Sequence, residues 1–293
     1  MSKKEKVIGI CRLCKQTNEL QDSHIIPKMF FERIKRNSPT GRMRGSDNPN
    51  IPLQDGLKIP FLCHECEEKF SGYETQFSRI YGKYVNSSGT TEFDSDSDMF
   101  RYFVLSIGWR VLQYLNEKEI GDLTNEEHQA IDSKLEQWRL ALWNEDHEFI
   151  RQQKQYVIPT TRLSYFAEIP TRKISNVGFD FQVFGSENCS FYAFTTTQVP
   201  YLLFLSMVWG EEEMLADYEV GRKIIPADTE IPKTLQEQLE KFHDHMFEDA
   251  NKALSDSQRE KIEALIFKKA KGNLSIESLS EAYQHILMDD MND

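Results

Sequence analysis

Four of the five cysteines in this chain fall in two pairs of identical spacing, Cys11-Arg12-Leu13-Cys14 and Cys63-His64-Glu65-Cys66. Each pair can close a tight knuckle whose two thiolates point the same way, and two such knuckles supply the tetrahedral sulfur set of a closed structural zinc site. In a reducing compartment this spacing favours metal over disulfide, so Cys11, Cys14, Cys63 and Cys66 are expected to ligate one Zn2+. The fold must then bring two distant segments onto one ion. The remaining cysteine, Cys189, reads as a small buried hydrophobe in a strand.

The residues around the knuckles suggest how this happens. After the first knuckle, Glu19 to Ile26 reads as a short strand with His24 near its end, and Pro27 suits the first position of a helix over Lys28 to Arg36. Met29, Phe30, Phe31 and Ile34 give that helix an apolar face, beside a basic side of Lys28, Arg33, Lys35 and Arg36. Asn37 to Pro52 lacks periodicity and is expected to be a loop carrying Arg42 and Arg44. Ile59 to Leu62 reads as a second strand. Phe70, Tyr73, Phe77, Ile80 and Tyr84 then recur at helical spacing, so the second cysteine pair opens a helix ending near Val85. Knuckle, strand, connection, strand, knuckle, helix is the order of a treble-clef zinc module, placed at residues 1–88, in which metal replaces a core too small to build.

Asn86 to Asp98 is rich in Ser, Gly, Thr and Asp and is taken as a linker. A second, larger domain is expected over 98–293, with helices in 98–145, strands in 156–225 and helices in 232–288, giving an α+β chain. Phe100 to Leu115 is a strongly apolar helix capped by Ser97 or Asp98, and Thr124 to Glu127 is a capping box before Ile131, Leu135, Trp138 and Leu142. Phe179, Phe181 and Val183 alternate with polar residues ahead of a turn at Gly185 to Asn188, and Cys189 to Thr195 returns as the second arm of a hairpin. Val157 to Phe166 and Lys223 to Ile225 are further strands. Val199 to Trp209 is buried, as helix or strand.

The net charge of -12 argues against a protein that coats nucleic acid, but its distribution is uneven. Residues 1–44 carry a net +7 and residues 1–90 a net +5, leaving -17 for the rest. A basic module on an acidic body is suited to local phosphate contact, so DNA or RNA is the expected partner of the N-terminal region. The body is free to take a protein partner or a second copy. No apolar run is long enough to cross a bilayer, and Val7 to Ile10 is too short for a secretory leader, so a cytoplasmic protein without membrane contact is expected.

A CxxC pair, a strand ending in His24-Ile25-Ile26-Pro27, and a second CxxC opening a helix resemble the zinc-stapled branch of the HNH (ββα-metal) endonucleases. Ser23-His24-Ile25-Ile26-Pro27-Lys28, Leu62-Cys63, Cys66-Glu67, Phe70-Ser71 and Tyr73-Glu74 resemble more closely a group of bacterial HNH-like proteins. The similarity covers about residues 8 to 85. It implies a metal-dependent phosphodiester hydrolase, regulated or partner-dependent, in a defence or mobile-element setting. His24 takes the place of the general base, and Glu67 that of the helix ligand for a catalytic Mg2+ or Mn2+. Ser23 stands where the family places a ligand, with Asp22 on the opposite strand face. The family's Asn before the second knuckle has no counterpart within Gly56 to Leu62, and Asn48 and Asn50 lie too far back. Glu74, two turns beyond Glu67 on the same face, is placed to assist it, and the alternative reading is a solvated acid. His64 is expected to be exposed. His243 and His245, two apart on a helix, point to different faces. The competing expectation is a non-catalytic zinc platform in which His24 is structural.

Overall fold

The computed structural model describes residues 6–38, 40–45, 48–87, 89–118, 123–160, 180–185, 193–210, 218–225 and 254–270. The architecture is α+β with antiparallel sheets throughout.

The N-terminal part begins with β1 (Val7–Ile10), a strand outside the sequence expectation. It pairs with β2 (Thr17–His24), and the first cysteine knuckle is the turn between them. Lys15 adopts φ +62, and the Lys15 N–H reaches the Cys11 carbonyl at 2.9 Å, which closes the knuckle. Helix α1 (Lys28–Asn37) follows Pro27. The stretch expected to be a loop contains a short ladder, β3 (Met43–Arg44) with β4 (Pro52–Leu53). Arg44 is tied down within it by the Pro49 carbonyl. Strand β5 (Lys58–Cys63) then completes a three-stranded sheet in the order β1-β2-β5. Helix α2 (His64–Asn86) starts directly at its end, with Cys63 as N-cap.

The register of β2 against β5 slips between Gln21 and Asp22. The slip accounts for Ser23. Its hydroxyl accepts the Leu62 N–H at 3.1 Å and donates to the Gln21 carbonyl at 3.4 Å, so polar groups released by the bulge stay paired inside the core.

The segment expected to be a linker is structured. It carries β6 (Phe93–Asp94), which pairs with β11 (Lys223–Ile224) far along the chain. Ser97 then caps helix α3 (Asp98–Asn116) by accepting the Phe100 N–H. Thr124 and Glu127 form the expected capping box of α4 (Asn125–Asn144), and α5 (His147–Gln152) follows after a left-handed turn at Glu145. Val199 to Trp209 resolves as a turn and a strand. A four-stranded sheet runs in the order β7 (Gln155–Pro159), β10 (Leu202–Trp209), β9 (Ala193–Val199), β8 (Asp180–Gly185). The expected hairpin over 179–195 is thus β8 with β9. Its turn, Cys189, residues 161–166 and most of the expected C-terminal helices, including His243 and His245, lie outside the described residues. Within 232–288 the described helix is α6 (Asp256–Ala270).

One apolar core runs from the N-terminal sheet into the body. Phe30 of α1 has its ring centroid 4.8 Å from Tyr81 of α2 and 6.1 Å from Phe204 of β10, while Phe77 stacks on Phe103 of α3 at 3.8 Å. α3 packs across all four strands of the larger sheet. It passes close because residue 108 is glycine: a Cβ there would stand 2.6 Å from Ser206 Oγ and 3.0 Å from Thr195 Oγ1. The knuckle is also fastened to the body by polar groups. Arg12 makes a two-pronged contact with Glu117 at 3.0 and 3.2 Å, and Arg139 of α4 donates to the Leu13 carbonyl at 2.7 Å. Among the described residues no helix is long and apolar enough to cross a membrane.

Candidate functional site

Two polar centres flank the first turn of α2. On one side the sulfurs of Cys11, Cys14, Cys63 and Cys66 lie within 4.8 Å of one another. Cys11 and Cys14 come from the β1–β2 turn, Cys63 from the end of β5 and Cys66 from the first turn of α2, so the ends of the module converge here. Cys14 and Cys63 are 3.8 Å apart, sulfur to sulfur. Metal–sulfur bonds of about 2.3 Å at a tetrahedral ion demand a separation of about 3.8 Å, so these four residues are positioned to hold a metal ion. The Cys66 thiol donates to Cys11, and backbone N–H groups add to this; together they outweigh burial and bring the Cys11 thiol down to about 4, while Cys66 as donor is pushed far up. The Cys63 N–H points at the Cys11 sulfur at 3.3 Å. His64 is 72% exposed and faces Glu68, as expected of a residue outside the cluster.

On the other side stands His24, at the end of β2. Its ring Nε2 meets Asp55 Oδ1 at 2.9 Å, and the ring stacks on Phe31 of α1 at 5.9 Å. Because an ionised carboxylate only accepts, this bond places the proton on Nε2 and leaves Nδ1 as the basic nitrogen. Burial alone would raise the Asp55 carboxyl. Lys58, the His24 ring and the Gly56 N–H at 3.0 Å outweigh it and hold the group well below the ordinary carboxylate range. Gly56 has no freedom to be larger, since a Cβ there would collide with the Phe31 ring. Phe31 therefore packs against both the histidine and the loop that orients it.

Glu67 and Glu74 occupy one face of α2, two turns apart, with Phe70 between them. Glu67 Oε1 is buried and has no hydrogen-bond partner among the described residues. Glu74 is not a solvated acid. Its side chain is 24% exposed and meets Arg110 of α3 at 2.9 Å. Burial raises the Glu74 carboxyl, the charge of Glu67 raises it further, and Arg110 and His24 partly offset both. His24, Glu67 and Arg110 thus each act on Glu74, which ties them into one polar centre. Asp22 lies on the exposed side of β2, away from buried Ser23.

Two members of this centre escaped the sequence reading. Asp55 lies in a loop with no motif spacing to His24. Arg110 lies in an apolar helix 86 residues away, where its only signal was a cation at a position that helical periodicity buries. No protein-family model, curated protein or solved structure matches the chain.

Proposed function

We propose that the chain is an HNH-like, metal-dependent nuclease whose treble-clef module is stapled by structural Zn2+. The observation that carries this reading is Glu67 Oε1, a buried carboxylate oxygen without a partner among the described residues, on one helix face with Glu74, whose carboxyl senses both Glu67 and the Asp55-oriented His24. A buried carboxylate oxygen left unpaired carries a desolvation cost, and a hard divalent cation with oxygen ligands would answer it. Glu67 and Glu74 offer the oxygens, so the donor set suits Mg2+ or Mn2+, whereas the all-sulfur cluster suits zinc.

In this account His24 takes a proton from water at Nδ1, and Asp55 steadies the imidazolium that results. The bound divalent ion supplies Lewis-acid stabilisation of charge on the phosphate and the leaving oxygen. Glu67 would be the residue that holds that ion. The substrate is DNA or RNA, with cations at hand beside the site: Lys58 pairs with Asp55, and Lys35 donates to the Gln54 carbonyl at 3.0 Å on the same loop. The acidic body restrains or recruits this activity, through a protein partner or a second copy, in a bacterial defence setting.

Purified zinc-loaded protein with Mg2+ or Mn2+ is expected to nick plasmid DNA or cleave RNA. His24→Ala is expected to lower the rate roughly 10²- to 10⁴-fold with zinc content unchanged. Equal activity in the two proteins would make the module a non-catalytic zinc platform for nucleic acid or protein, with His24 structural.

A further inference from the structure

An apolar helix that lies across a sheet has little reason to carry a buried guanidinium. Arg110 is 3% exposed, in the middle of α3, among Ile107, Trp109, Val111 and Leu112, which are exposed by no more than 1%. Desolvating an arginine costs several kcal/mol before any partner is found, and replacing a buried ion pair by apolar residues is often neutral or stabilising. A pair with Glu74 therefore does not by itself explain the residue. Its other contacts do.

The guanidinium reaches three elements at once. Nε donates to the Ser106 carbonyl on its own helix at 3.2 Å, which fixes the side-chain direction. Nη1 lies 2.9 Å from Glu74 Oε1 on α2 and donates to the main-chain carbonyl of His24, at the end of β2, at 3.2 Å. The plane sits over the Phe70 ring, with Cζ 5.2 Å from its centroid. Phe70 lies between Glu67 and Glu74 on that face of α2. The guanidinium's second nitrogen, Nη2, is buried without a partner among the described residues, as is Glu67 Oε1. One donor and one acceptor are thus left open.

We infer that Arg110 is a positioning residue of the His24 centre, supplied by the body: it locks the main chain at His24 to the carboxylate of Glu74. The centre is assembled only when α3 is seated against α2 and β2. This inference rests on the nuclease reading for its consequence in turnover, but the geometry it asserts is measurable without turnover. A single nitrogen, Nη1, spans the His24 carbonyl and Glu74, and the bond from Nε to the Ser106 carbonyl sets its direction. A lysine at 110 keeps the charge yet has no second nitrogen to fix that direction, and is expected to satisfy one and lose the other.

The test uses the full-length, zinc-loaded chain with ring-15N histidine. Long-range 1H–15N spectra report the tautomer and hydrogen bonding of each imidazole, with His24 assigned by His24→Ala. Wild type is expected to show His24 in a single tautomer with the proton on Nε2. In Arg110→Lys, and in the charge-free Arg110→Met/Glu74→Gln pair that keeps the volume and avoids a lone buried charge, the His24 signals are expected to shift toward an averaged tautomer. His147, which lies elsewhere, and the zinc content stay unchanged. In turnover, kcat falls roughly tenfold or more with KM nearly constant, the split expected of lost orientation. An unchanged His24 spectrum in both variants would overturn the inference, whatever the activity. A wild type that shows the ordered tautomer yet cleaves nothing would instead overturn the nuclease reading and leave the positioning intact.

Discussion

The two polar centres beside the first turn of α2 are built on opposite plans. The sulfur cluster draws all four side chains from the N-terminal module, each knuckle folds from neighbours in sequence, and the Cys14–Cys63 spacing of 3.8 Å is already that of a tetrahedral site. The His24 centre is assembled from β2, the loop before β5, two turns of α2 and a guanidinium from α3. The first is a staple that the module makes for itself. The second depends on the module being docked against the body, and on a bulge and a buried serine that set the end of β2. The lesson is that a cysteine cluster positioned for a metal ion and a second polar centre can share one helical turn and still differ in what holds them together.

The largest expected effect breaks this comparison from the staple side. Cys66→Ser removes one ligand of four from a site whose whole binding energy, about 10 to 16 kcal/mol in small zinc modules, doubles as folding energy. Zinc measured by mass spectrometry is expected to become substoichiometric, and the β1–β2 turn and the start of α2 to become protease-sensitive, with cleavage of nucleic acid lost as well. Retention of full zinc would mean that three sulfurs suffice. The converse asymmetry is equally sharp, since His24→Ala is expected to spare zinc entirely.

Gly108→Ala probes the body side. Its methyl would meet Ser206 Oγ at 2.6 Å, and both α3 and the sheet are too well packed to give way freely. A loss of about 1 to 3 kcal/mol in urea unfolding is expected from overpacking, with zinc stoichiometry intact. Because α3 carries Arg110, nicking should fall beyond what the lost stability explains. Unimpaired nicking would show that the His24 centre does not depend on the seating of α3.

Asp55→Asn is the mildest and depends on pH in a defined way. The native Asp55 carboxyl lies below its ordinary value of 3.8, so the unfolded chain binds its proton more readily. The stability it contributes is complete above that ordinary value and is lost as pH falls toward the native pKa. Wild type is thus expected to exceed Asp55→Asn by about 1 to 2 kcal/mol near neutral pH, with the contribution of the Asp55 carboxyl itself lost under strong acid. Equal stability of the two proteins at neutral pH would contradict this.

The staple was legible in the sequence because CxxC spacing fixes local geometry, and the helices α3 and α4 because Ser97 and the Thr124–Glu127 box mark their starts. Strand β1 was not legible: four residues with Val7, Ile8 and Ile10 exposed carry no alternation to read. Composition suggested a linker at 86–98, yet Phe93 turns inward and β6 finds its partner near residue 223, a pairing that no local pattern encodes. Within the His24 centre, the order of the motifs singled out His24 and Glu67 as candidates. Asp55, Arg110 and the burial of Glu74 were not legible, because each gains its environment from contacts across tens of residues. Ser23 looked like a missing ligand, and the bulge explains it as a structural residue.

The central claim is that the His24 centre takes a divalent ion of its own, separate from the ion of the cysteine staple. Titration of zinc-loaded, full-length protein with Mn2+, followed by electron paramagnetic resonance of the free ion, counts that site directly. The account predicts one further bound ion per chain in wild type, lost in Glu67→Gln while zinc remains in place. No Mn2+ binding above background, or binding that survives Glu67→Gln unchanged, would contradict it.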